Sequence, residues 1–236
     1  MKIALIGYGK MGKAIERIAL SRGHEIVAKI DANPDDIKQL DQSSPDVVIE
    51  FTVPEMAVMN IKRCINKSIP VLSGTTGWLN NKNEVDGYCN DHNGTFFYAS
   101  NYSLGVNLFF KLNEYLAKLI SRYQEYNPSI EEIHHTQKKD APSGTAITLA
   151  EGMLKYLQQK KGWKLEASDI DQIAIQSKRI DPYPGQHTVT YKSIWDNIEI
   201  RHTAHSREGF ALGAVLVAEW LPGKKGVLGM NDFLSL

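Results

Sequence analysis

The sequence predicts an α/β protein with two sheets: a parallel sheet flanked by helices in the first part of the chain, and a mostly antiparallel sheet in an α+β second part. Three observations lead to this prediction. Short apolar runs alternate with helical patterns up to residue 100, a glycine-rich turn follows the first run, and three strand-like runs follow one another after residue 170. Alternating strands and helices are typical of parallel sheets, whereas consecutive strands are typical of antiparallel ones.

The glycine-rich turn gives the first part of the chain a binding function. Gly7, Gly9 and Gly12 follow an apolar strand at 3–6 and lead into an amphipathic helix. In such a turn the first glycine allows the tight bend, the second leaves room for a pyrophosphate, and the third lets the helix pack closely. This GxGxxG pattern often marks only a turn, but between a strand and a helix it predicts a Rossmann-like domain that binds a dinucleotide.

The next strand strengthens that interpretation. It is predicted over 25–30 and is followed by Asp31, near the distance of about 20 residues at which such domains place a ribose-binding acid. From this segment the predicted cofactor-binding residues are Gly7, Tyr8, Gly9, Lys10, Met11, Gly12 and Asp31.

Three more strands are predicted over 46–51, 69–72 and 95–98, and each runs into a polar or flexible segment. The carboxyl ends of parallel strands meet at one edge of a sheet, where folds of this kind bind their ligands. We therefore expect the segments that follow these strands to join the glycine-rich turn around one cofactor.

The second part of the chain begins with a helix predicted over 104–119. The elements expected after it are a strand over 129–134, a helix over 146–157, strands over 172–180, 188–195 and 198–203, and a last helix over 210–221. An Asp-Asn turn at 196–197 should join the last two strands, and Pro222-Gly223 should end the last helix.

The run from Glu132 to Ala146 combines proton-transfer groups with an anion site. Ser143 is predicted to cap the helix that follows it. The amides of Gly144 and Thr145 then lie unpaired at the positive end of the helix dipole, where they can hold a carboxylate or a phosphate. Two imidazoles and two ammonium groups precede this turn, so an anionic substrate would meet general acids where it is bound.

This run resembles the central signature of the 4-hydroxy-tetrahydrodipicolinate reductase family, formerly called dihydrodipicolinate reductase. The family pattern is a Glu, a spacer, two His, a short basic interval, a Lys, a spacer and Asp-Ala-Pro-Ser-Gly-Thr-Ala, and all of it occurs between Glu132 and Ala146. The resemblance implies an NAD(P)H-dependent enzyme of lysine and diaminopimelate biosynthesis. Its substrate would be a cyclic imine with two carboxylates, which is reduced by way of dihydrodipicolinate to tetrahydrodipicolinate.

The resemblance also implies roles for single residues. His134 matches the general acid/base and Lys138 the proton donor that also pairs with a carboxylate, while His135, Gly144 and Thr145 match substrate-binding positions. No metal is implied. The cofactor-binding positions that it adds, around the nicotinamide and its ribose, are Phe51, Thr52, Gly74, Thr75, Thr76, Ala99, Ser100, Asn101 and Tyr102.

The same resemblance divides the chain into domains. Residues 1–103 and 207–236 would form the dinucleotide-binding domain, and residues 104–206 a substrate-binding domain through which a homotetramer assembles. Two departures from the family stand out. Glu50 occupies a position that is more often Asp, and a glycine-rich loop that contains an arginine is shortened to 181–185, which affects any substrate or subunit contact made there.

The choice of cofactor follows from charge. Asp31 should accept hydrogen bonds from an unphosphorylated ribose and repel a 2′-phosphate, and Ala32 supplies no compensating arginine. Lys10, however, matches a basic position near that phosphate in the family. We therefore expect both NADH and NADPH to serve, with some preference for NADH.

Composition agrees with an enzyme that acts on a metabolite. The chain has 236 residues, 42% of them hydrophobic, and 27 basic residues balance 27 acidic ones. This neutral balance gives no electrostatic reason to expect nucleic acid or a membrane as partner. The two cysteines, Cys64 and Cys89, form no CxxC pair, and no signal or membrane segment is apparent, so we expect a cytoplasmic protein.

Two alternative functions remain open at this point: another nicotinamide-dependent amino-acid dehydrogenase, and a catalytically idle sensor that binds dinucleotide. Other polar residues have simpler interpretations. Lys139 is expected to be solvated, Asp140 to orient its loop, and Arg207 either to pair with a carboxylate or to lie on the surface. The remaining histidines show no metal-ligand spacing; they are His24, His92, His187, His202 and His205.

Overall fold

The computed structural model describes residues 1–31, 38–166, 169–206 and 208–235. The chain divides into two compact units, Met1–Leu104 with Glu208–Leu236, and Gly105–Arg207. The first contains an all-parallel sheet with helices and the second a mixed sheet with helices. The predicted fold class is therefore confirmed.

Strands and helices are numbered in chain order. The strands are β1 (Lys2–Ile6), β2 (Glu25–Ile30), β3 (Val47–Glu50), β4 (Val71–Ser73), β5 (Thr95–Tyr98), β6 (Asn127–His134), β7 (Gly162–Leu165), β8 (Gln172–Arg179), β9 (Gly185–Lys192), β10 (Asn197–Ala204) and β11 (Gly226–Leu228). The helices are α1 (Lys10–Ser21), α2 (Gln39–Ser43), α3 (Pro54–Asn66), α4 (Lys82–Asp91), α5 (Leu104–Ile120), α6 (Gly144–Leu154), α7 (Glu208–Trp220) and α8 (Met230–Leu234). No helix in the described ranges has the length and apolar character that a membrane crossing requires.

In the first unit the strand order is β11-β5-β4-β3-β1-β2. The chain leaves β1 toward β2 on one side and returns to β3 on the other, so the order reverses between β1 and β3. Open parallel sheets bind their ligands at such a reversal, beyond the carboxyl ends of the strands. The turn that follows β1 and the segment that follows β3 lie at this point.

Alternate residues of these strands supply two apolar layers. Ile3 and Leu5 of β1 face a cluster that includes residues of α1 and α7, whereas Ala4 and Ile6 face a cluster that includes residues of α3 and α4. Cys64 of α3 and Cys89 of α4 are free thiols with no exposed surface inside the second cluster. Burying apolar side chains on both faces stabilises the sheet by roughly 1.5–3 kcal/mol for each large residue.

In the second unit the strand order is β10-β9-β6-β8-β7. β9 pairs with β10 and with β6 in antiparallel fashion, while β6 and β7 each pair with β8 in parallel fashion. The apolar face of α6, predicted from the sequence, packs in the core of this unit through Ala146, Leu149, Ala150 and Met153.

The predicted elements agree with these bounds to within a few residues, and β2 and β5 agree at both ends. One turn differs: β9 ends at Lys192, and the turn is built on Ser193, whose amide donates to the Asp196 carbonyl at 2.9 Å. No bounds were predicted for α2, α3, α4, β7, β11 or α8. Of these, α2, β7, β11 and α8 have only three to five residues and are too short to show a period.

Candidate active site

The turn after β1 has the geometry that its glycines predict. Gly7 has φ +93° and its amide donates to the Ile30 carbonyl at 2.7 Å. A Cβ on Gly7 would lie 1.9 Å from the Phe51 carbonyl oxygen, and one on Gly12 would lie 2.3 Å from the Gly7 carbonyl oxygen. No other residue fits at these two positions without moving the backbone.

Gly9 differs from these two glycines, because a Cβ on it would meet no atom within 4 Å. The residue is exposed, it precedes α1, and neither a side-chain cap nor an acidic residue occupies the first turn of that helix. Open space in front of unpaired helix amides is what a pyrophosphate needs. The turn therefore fits a dinucleotide.

The other residues predicted for this part of the cofactor lie around the turn. Lys10 and Asp31 are exposed, while Met11 is half-buried against the core. Tyr8 is half-buried; its hydroxyl donates to Glu16, and Lys29 lies 4.9 Å above its ring and 2.5 Å from the Glu16 carboxylate. Ala32, the residue next to Asp31, lies outside the described ranges.

Glu50 organises the neighbouring segments. It ends β3, is completely buried, and accepts hydrogen bonds from the hydroxyls of Ser73 at 2.6 Å, Thr75 at 3.0 Å and Thr52. The Thr52 amide donates to Glu50 at 3.2 Å and to Thr75 Oγ1 at 2.7 Å. One buried carboxylate thus joins the segment after β3 to the segment after β4.

Phe51 and Tyr102 support this edge of the sheet. A Cβ on Gly74 would lie 2.1 Å from the Phe51 ring, so Gly74 lets the ring pack against the backbone. Tyr102 is 2% exposed and donates its hydroxyl to the Ser73 carbonyl at 2.7 Å. It contacts the segment from inside the core. The remaining predicted positions differ in exposure: Thr76 and Ser100 are exposed, Asn101 is half-buried and Ala99 is buried.

In the second unit the site is built on β6, whose residues Glu132 and His134 are both buried. Glu132 has no exposed surface. It accepts the Ser143 amide on both carboxylate oxygens at 3.2 and 3.1 Å, the Ser177 hydroxyl at 2.7 Å and an Arg179 nitrogen at 3.3 Å. The sequence run contained Glu132, but its role at the centre of the site was not predicted.

His187 completes this cluster. The pairing of β6 with β9 places it opposite Glu132, and its Nε2 lies 3.5 Å from Glu132 Oε2 and 3.1 Å from Ser143 Oγ. Its ring stands at 71° to the His134 ring, with 5.0 Å between the centroids. Spacing along the sequence could not find this residue, because strand register brings it into place.

The environment of His134 lowers the pKa of its imidazole. Burial is the largest cause and electrostatic repulsion from His187 the next, whereas Glu132 opposes them; the result is a pKa of about 4. His134 is 7% exposed, and its Nδ1 lies 3.7 Å from Glu132 Oε2 with no hydrogen-bond partner among the described residues. At neutral pH the ring carries no charge.

The environment of Glu132 acts in the opposite sense. Burial raises the pKa of this carboxyl group, but hydrogen bonds from His187, Ser143 and Ser177 outweigh burial and hold the pKa far below its usual range. The group is therefore a permanent anion inside the site.

The predicted helix cap is confirmed. Ser143 precedes α6 and its Oγ accepts the Ala146 amide at 3.2 Å. Gly144 is exposed, with open space where a Cβ would stand, and Thr145 is half-buried. The first turn of α6 is accessible to an anion from its N-terminal side.

The loop between β6 and α6 is held by Arg179, another residue that the sequence prediction missed. This side chain donates to the carbonyls of Lys138 at 3.2 Å and Asp140 at 2.5 Å, besides its contact with Glu132. Within the loop, Lys138 Nζ donates to both carboxylate oxygens of Asp140 at 2.8 Å. The ammonium group is thus paired with one carboxylate of its own loop.

His135, the first residue after β6, is half-buried. With Gln137 it lines an open cleft of about 350 Å³ whose far wall is formed by 181–184 and Ser206. Asp181 fixes this wall, since Thr136 donates its amide and hydroxyl to the Asp181 carboxylate at 3.2 and 2.7 Å. The loop that the sequence analysis described as shortened therefore borders His135. Arg207 lies outside the described ranges.

Donor atoms of Glu132, His134 and His187 lie within 4.8 Å of one another, a spacing that a metal ion could bridge. Glu132, however, already accepts hydrogen bonds from the Ser143 amide and the Ser177 hydroxyl, and Arg179 adds a positive charge at 3.3 Å. We assign no metal to this cluster.

Comparison with known proteins places these features in a family. The family profile "Dihydrodipicolinate reductase, N-terminus" matches residues 1–102, and "Dihydrodipicolinate reductase, C-terminus" matches residues 105–234. The curated 4-hydroxy-tetrahydrodipicolinate reductase of Christiangramia forsetii is 52% identical over 237 residues, which cover 100% of this chain and 98% of that protein. The protein with the same name in Methanoregula boonei is 33% identical over 256 residues, with 100% and 98% covered.

Solved structures show the same fold. The structure described as "Dipicolinate bound Dihydrodipicolinate reductase from Paenisporosarcina sp. TG-14" superposes with a TM-score of 0.81 at 21% identity and covers 98% of both chains. An amine dehydrogenase from Mycobacterium smegmatis superposes with a TM-score of 0.61 at 11% identity, with 97% of this chain and 94% of that chain covered.

Proposed function

The chain belongs to the dihydrodipicolinate reductase family and is a nicotinamide-dependent reductase of lysine biosynthesis, and we propose that it reduces 4-hydroxy-tetrahydrodipicolinate, by way of dihydrodipicolinate, to tetrahydrodipicolinate. The observation that carries the substrate assignment is the set of groups between the end of β6 and the start of α6. A neutral buried histidine, a lysine ammonium and an open helix N-terminus follow one another there within one unit of the chain. A dicarboxylate that needs a proton during its reduction fits these groups.

The first unit would hold the cofactor. Its pyrophosphate would lie on the amides after Gly9, its adenosine ribose near Asp31, and its nicotinamide near the segments that Glu50 joins. A bound nicotinamide supplies the hydride. We propose that both NADH and NADPH serve, because exposed Asp31 favours an unphosphorylated ribose while exposed Lys10 favours a phosphorylated one.

The second unit would bind the substrate. One carboxylate would accept hydrogen bonds from the amides of Gly144 and Thr145, whose approach is open, and the other would lie near Lys138 and His135. Fixing both carboxylates restricts the orientation of the ring, and orientation contributes much of the rate in reactions of bound partners.

Proton transfer would involve Lys138 and His134. Hydride addition to the conjugated imine leaves negative charge that spreads toward the ring nitrogen, and a proton must follow. Since the pKa of His134 is about 4, the free site offers the Lys138 ammonium as its proton source. A carboxylate bound beside His134 would raise the pKa of that ring, so the histidine then acts as an acid/base within the complex.

The test is reduction of enzymatically generated 4-hydroxy-tetrahydrodipicolinate, followed by the absorbance of NADH and of NADPH. We expect His134→Gln and Lys138→Met to lower kcat by roughly two to four orders of magnitude while NADH still binds. The matched control is Lys139→Met, which removes an exposed ammonium next to Lys138 and should retain full activity.

Two results would contradict the proposed reaction or the proposed role of Asp31. A folded wild-type protein that binds NADH and does not oxidise it with this substrate would contradict the proposed reaction and favour a related amino-acid dehydrogenase or a dinucleotide sensor. A kcat/KM much higher with NADPH than with NADH would contradict the role of Asp31. The homotetramer implied by the family and the cytoplasmic location expected from the sequence stay predictions; light scattering and cell fractionation test them.

A further inference from the structure

His187 has no role in the function described so far, although it lies at the centre of the site. It is 5% exposed and is held between three groups: Glu132 across the strand pair, Ser143 at the start of α6, and the ring of His134. Two of these groups bear on the proposed reaction: His134 is its acid/base, and Ser143 caps the helix whose first turn is the anion site. We propose that His187 is a positioning residue for that reaction, acting on the anion site through Ser143 and on His134 through their shared neighbour Glu132.

The connection to the anion site is a chain of contacts. His187 Nε2 lies 3.1 Å from Ser143 Oγ, which in turn accepts the Ala146 amide at 3.2 Å. The Ser143 amide donates to Glu132, so the cap residue is fixed at both its backbone and its side chain. His187 therefore determines which way the Ser143 hydroxyl points, and with it the position of the first turn of α6.

The connection to His134 is electrostatic. The groups that face the His134 ring are Glu132 on its own strand, His187 on β9, Arg179 on β8 and Lys138 in the following loop. Glu132 Oε2 lies 3.5 Å from His187 Nε2 and 3.7 Å from His134 Nδ1, so the same carboxylate oxygen interacts electrostatically with both rings. Electrostatic repulsion from His187 lowers the pKa of His134, and the carboxylate between the two rings opposes that effect.

Two substitutions separate these effects. The amide of a glutamine reaches the position of the imidazole Nε2 and can hydrogen-bond Ser143, but it cannot carry a charge. His187→Leu fills the same space and offers neither the hydrogen bond nor the charge. The control is His205→Gln, which removes an exposed histidine of the same unit.

The first readout is the NMR titration of His134 in the free protein, assigned by the loss of its signal in His134→Gln. We expect the titration midpoint to rise in His187→Gln from about 4 toward 6.5, and to stay unchanged in His205→Gln. An unchanged midpoint in His187→Gln would overturn the action on His134.

The second readout is binding of dipicolinate, an aromatic dicarboxylate, by calorimetry in the presence of NADH. His187→Gln should bind within about twofold of the wild type, and His187→Leu about tenfold more weakly, the loss expected for one hydrogen bond. Equal affinities of the two variants would overturn the action through Ser143. If His187→Leu fails to fold, a strong loss in His187→Gln would overturn it instead.

The proposal rests on the proposed function, but the two can fail separately. The titration of His134 needs no substrate. If the wild type neither binds dipicolinate nor reduces the substrate, while the His134 midpoint still rises in His187→Gln, the reaction is wrong and the coupling between the two histidines stands.

Discussion

Burial acts on both Glu132 and His134 of β6, but it decides the charge of only one of them. His134 offers an unpaired nitrogen, so burial is free to lower the pKa of the ring. Glu132 is buried even more completely, yet donors surround it and keep it charged. The number of donors that reach a buried group, rather than burial alone, therefore decides its protonation.

These shifts make stability depend on pH. His134 has a lower pKa in the folded protein than in the unfolded chain, where it is near 6.5, so between about pH 4 and 6.5 the unfolded chain binds more protons. Glu132 adds the same effect below its usual pKa of 4.5. The free energy of unfolding should thus fall as pH is lowered from 6.5 to 4, and further below 4.5.

The measurement is urea unfolding at pH 7 and at pH 5. The wild type should lose on the order of 1–2 kcal/mol more than His134→Gln over this interval, since the variant has no proton to bind there. An equal loss of unfolding free energy in both proteins would mean that the pKa of His134 is not lowered in the folded protein.

Glu50 allows a second prediction about a single residue. Every described group that hydrogen-bonds to the Glu50 carboxylate donates to it, among them the hydroxyls of Ser73 and Thr75. In Glu50→Gln an amide NH₂ replaces one of the two accepting oxygens, so the NH₂ group faces a donor and one hydrogen bond is lost. We expect stability to fall by about 1–3 kcal/mol and NADH to bind more weakly, as measured by unfolding and by fluorescence titration.

The control is Glu55→Gln, an exposed acid in the first turn of α3, which should leave NADH binding unchanged and lower stability by no more than about 1 kcal/mol through the helix dipole. NADH affinity equal to the wild type in a destabilised Glu50→Gln would show that Glu50 supports the fold but not the cofactor segments.

At the scale of elements, α6 carries the most consequence, because its first turn is both a structural end and the proposed anion site. Ser143→Ala removes the side-chain cap. Caps of this kind contribute roughly 0.5–2 kcal/mol, so we expect a loss of that size together with weaker dipicolinate binding. Glu151→Ala, an exposed change farther along the same helix, should affect neither. Dipicolinate binding unchanged in Ser143→Ala would place the anion elsewhere.

Elements were predictable where they were long enough to show a period or were bounded by turn residues. The strand at 25–30 and the cap at Ser143 are such cases, and the structure has both. β11 has only three residues and pairs with β5 along an edge of the sheet, so its place depends on tertiary contacts that no local pattern records.

The candidate site was predictable where its residues are neighbours in sequence. His134, Lys138 and Ser143 lie in one run, and the structure keeps them in one loop and the elements at its ends. His187 and Arg179 were missed because they arrive on β9 and β8, and the sequence does not state the register of those strands. The catalytic and binding roles themselves stay predictions.

At the scale of the whole molecule, the two units have separate cores, and each would hold a different ligand. A bound ligand stabilises the state that binds it, by about 2.7 kcal/mol at a hundred times its Kd. NADH should therefore suppress opening of the first unit in particular. A probe confined to that unit would test the assignment.

The two buried thiols provide that probe. Cys64 and Cys89 both lie in the first unit, on the buried faces of α3 and α4, and burial raises the pKa of Cys64 to about 12. A thiol reagent added to the native protein should react only during rare openings. We expect NADH to slow the labelling of the two thiols and dipicolinate alone to have little effect. Rapid labelling that NADH does not change would contradict the assignment of NADH binding to the first unit.

The wild-type chain thus carries a natural reporter of local opening in one of its two units. The rate of thiol labelling measures how often the unit with the parallel sheet opens, and the other unit, which has no cysteine, gives no signal. A cysteine introduced into the second unit would report its opening in the same way, and comparison of the two rates would show whether the units open together or independently.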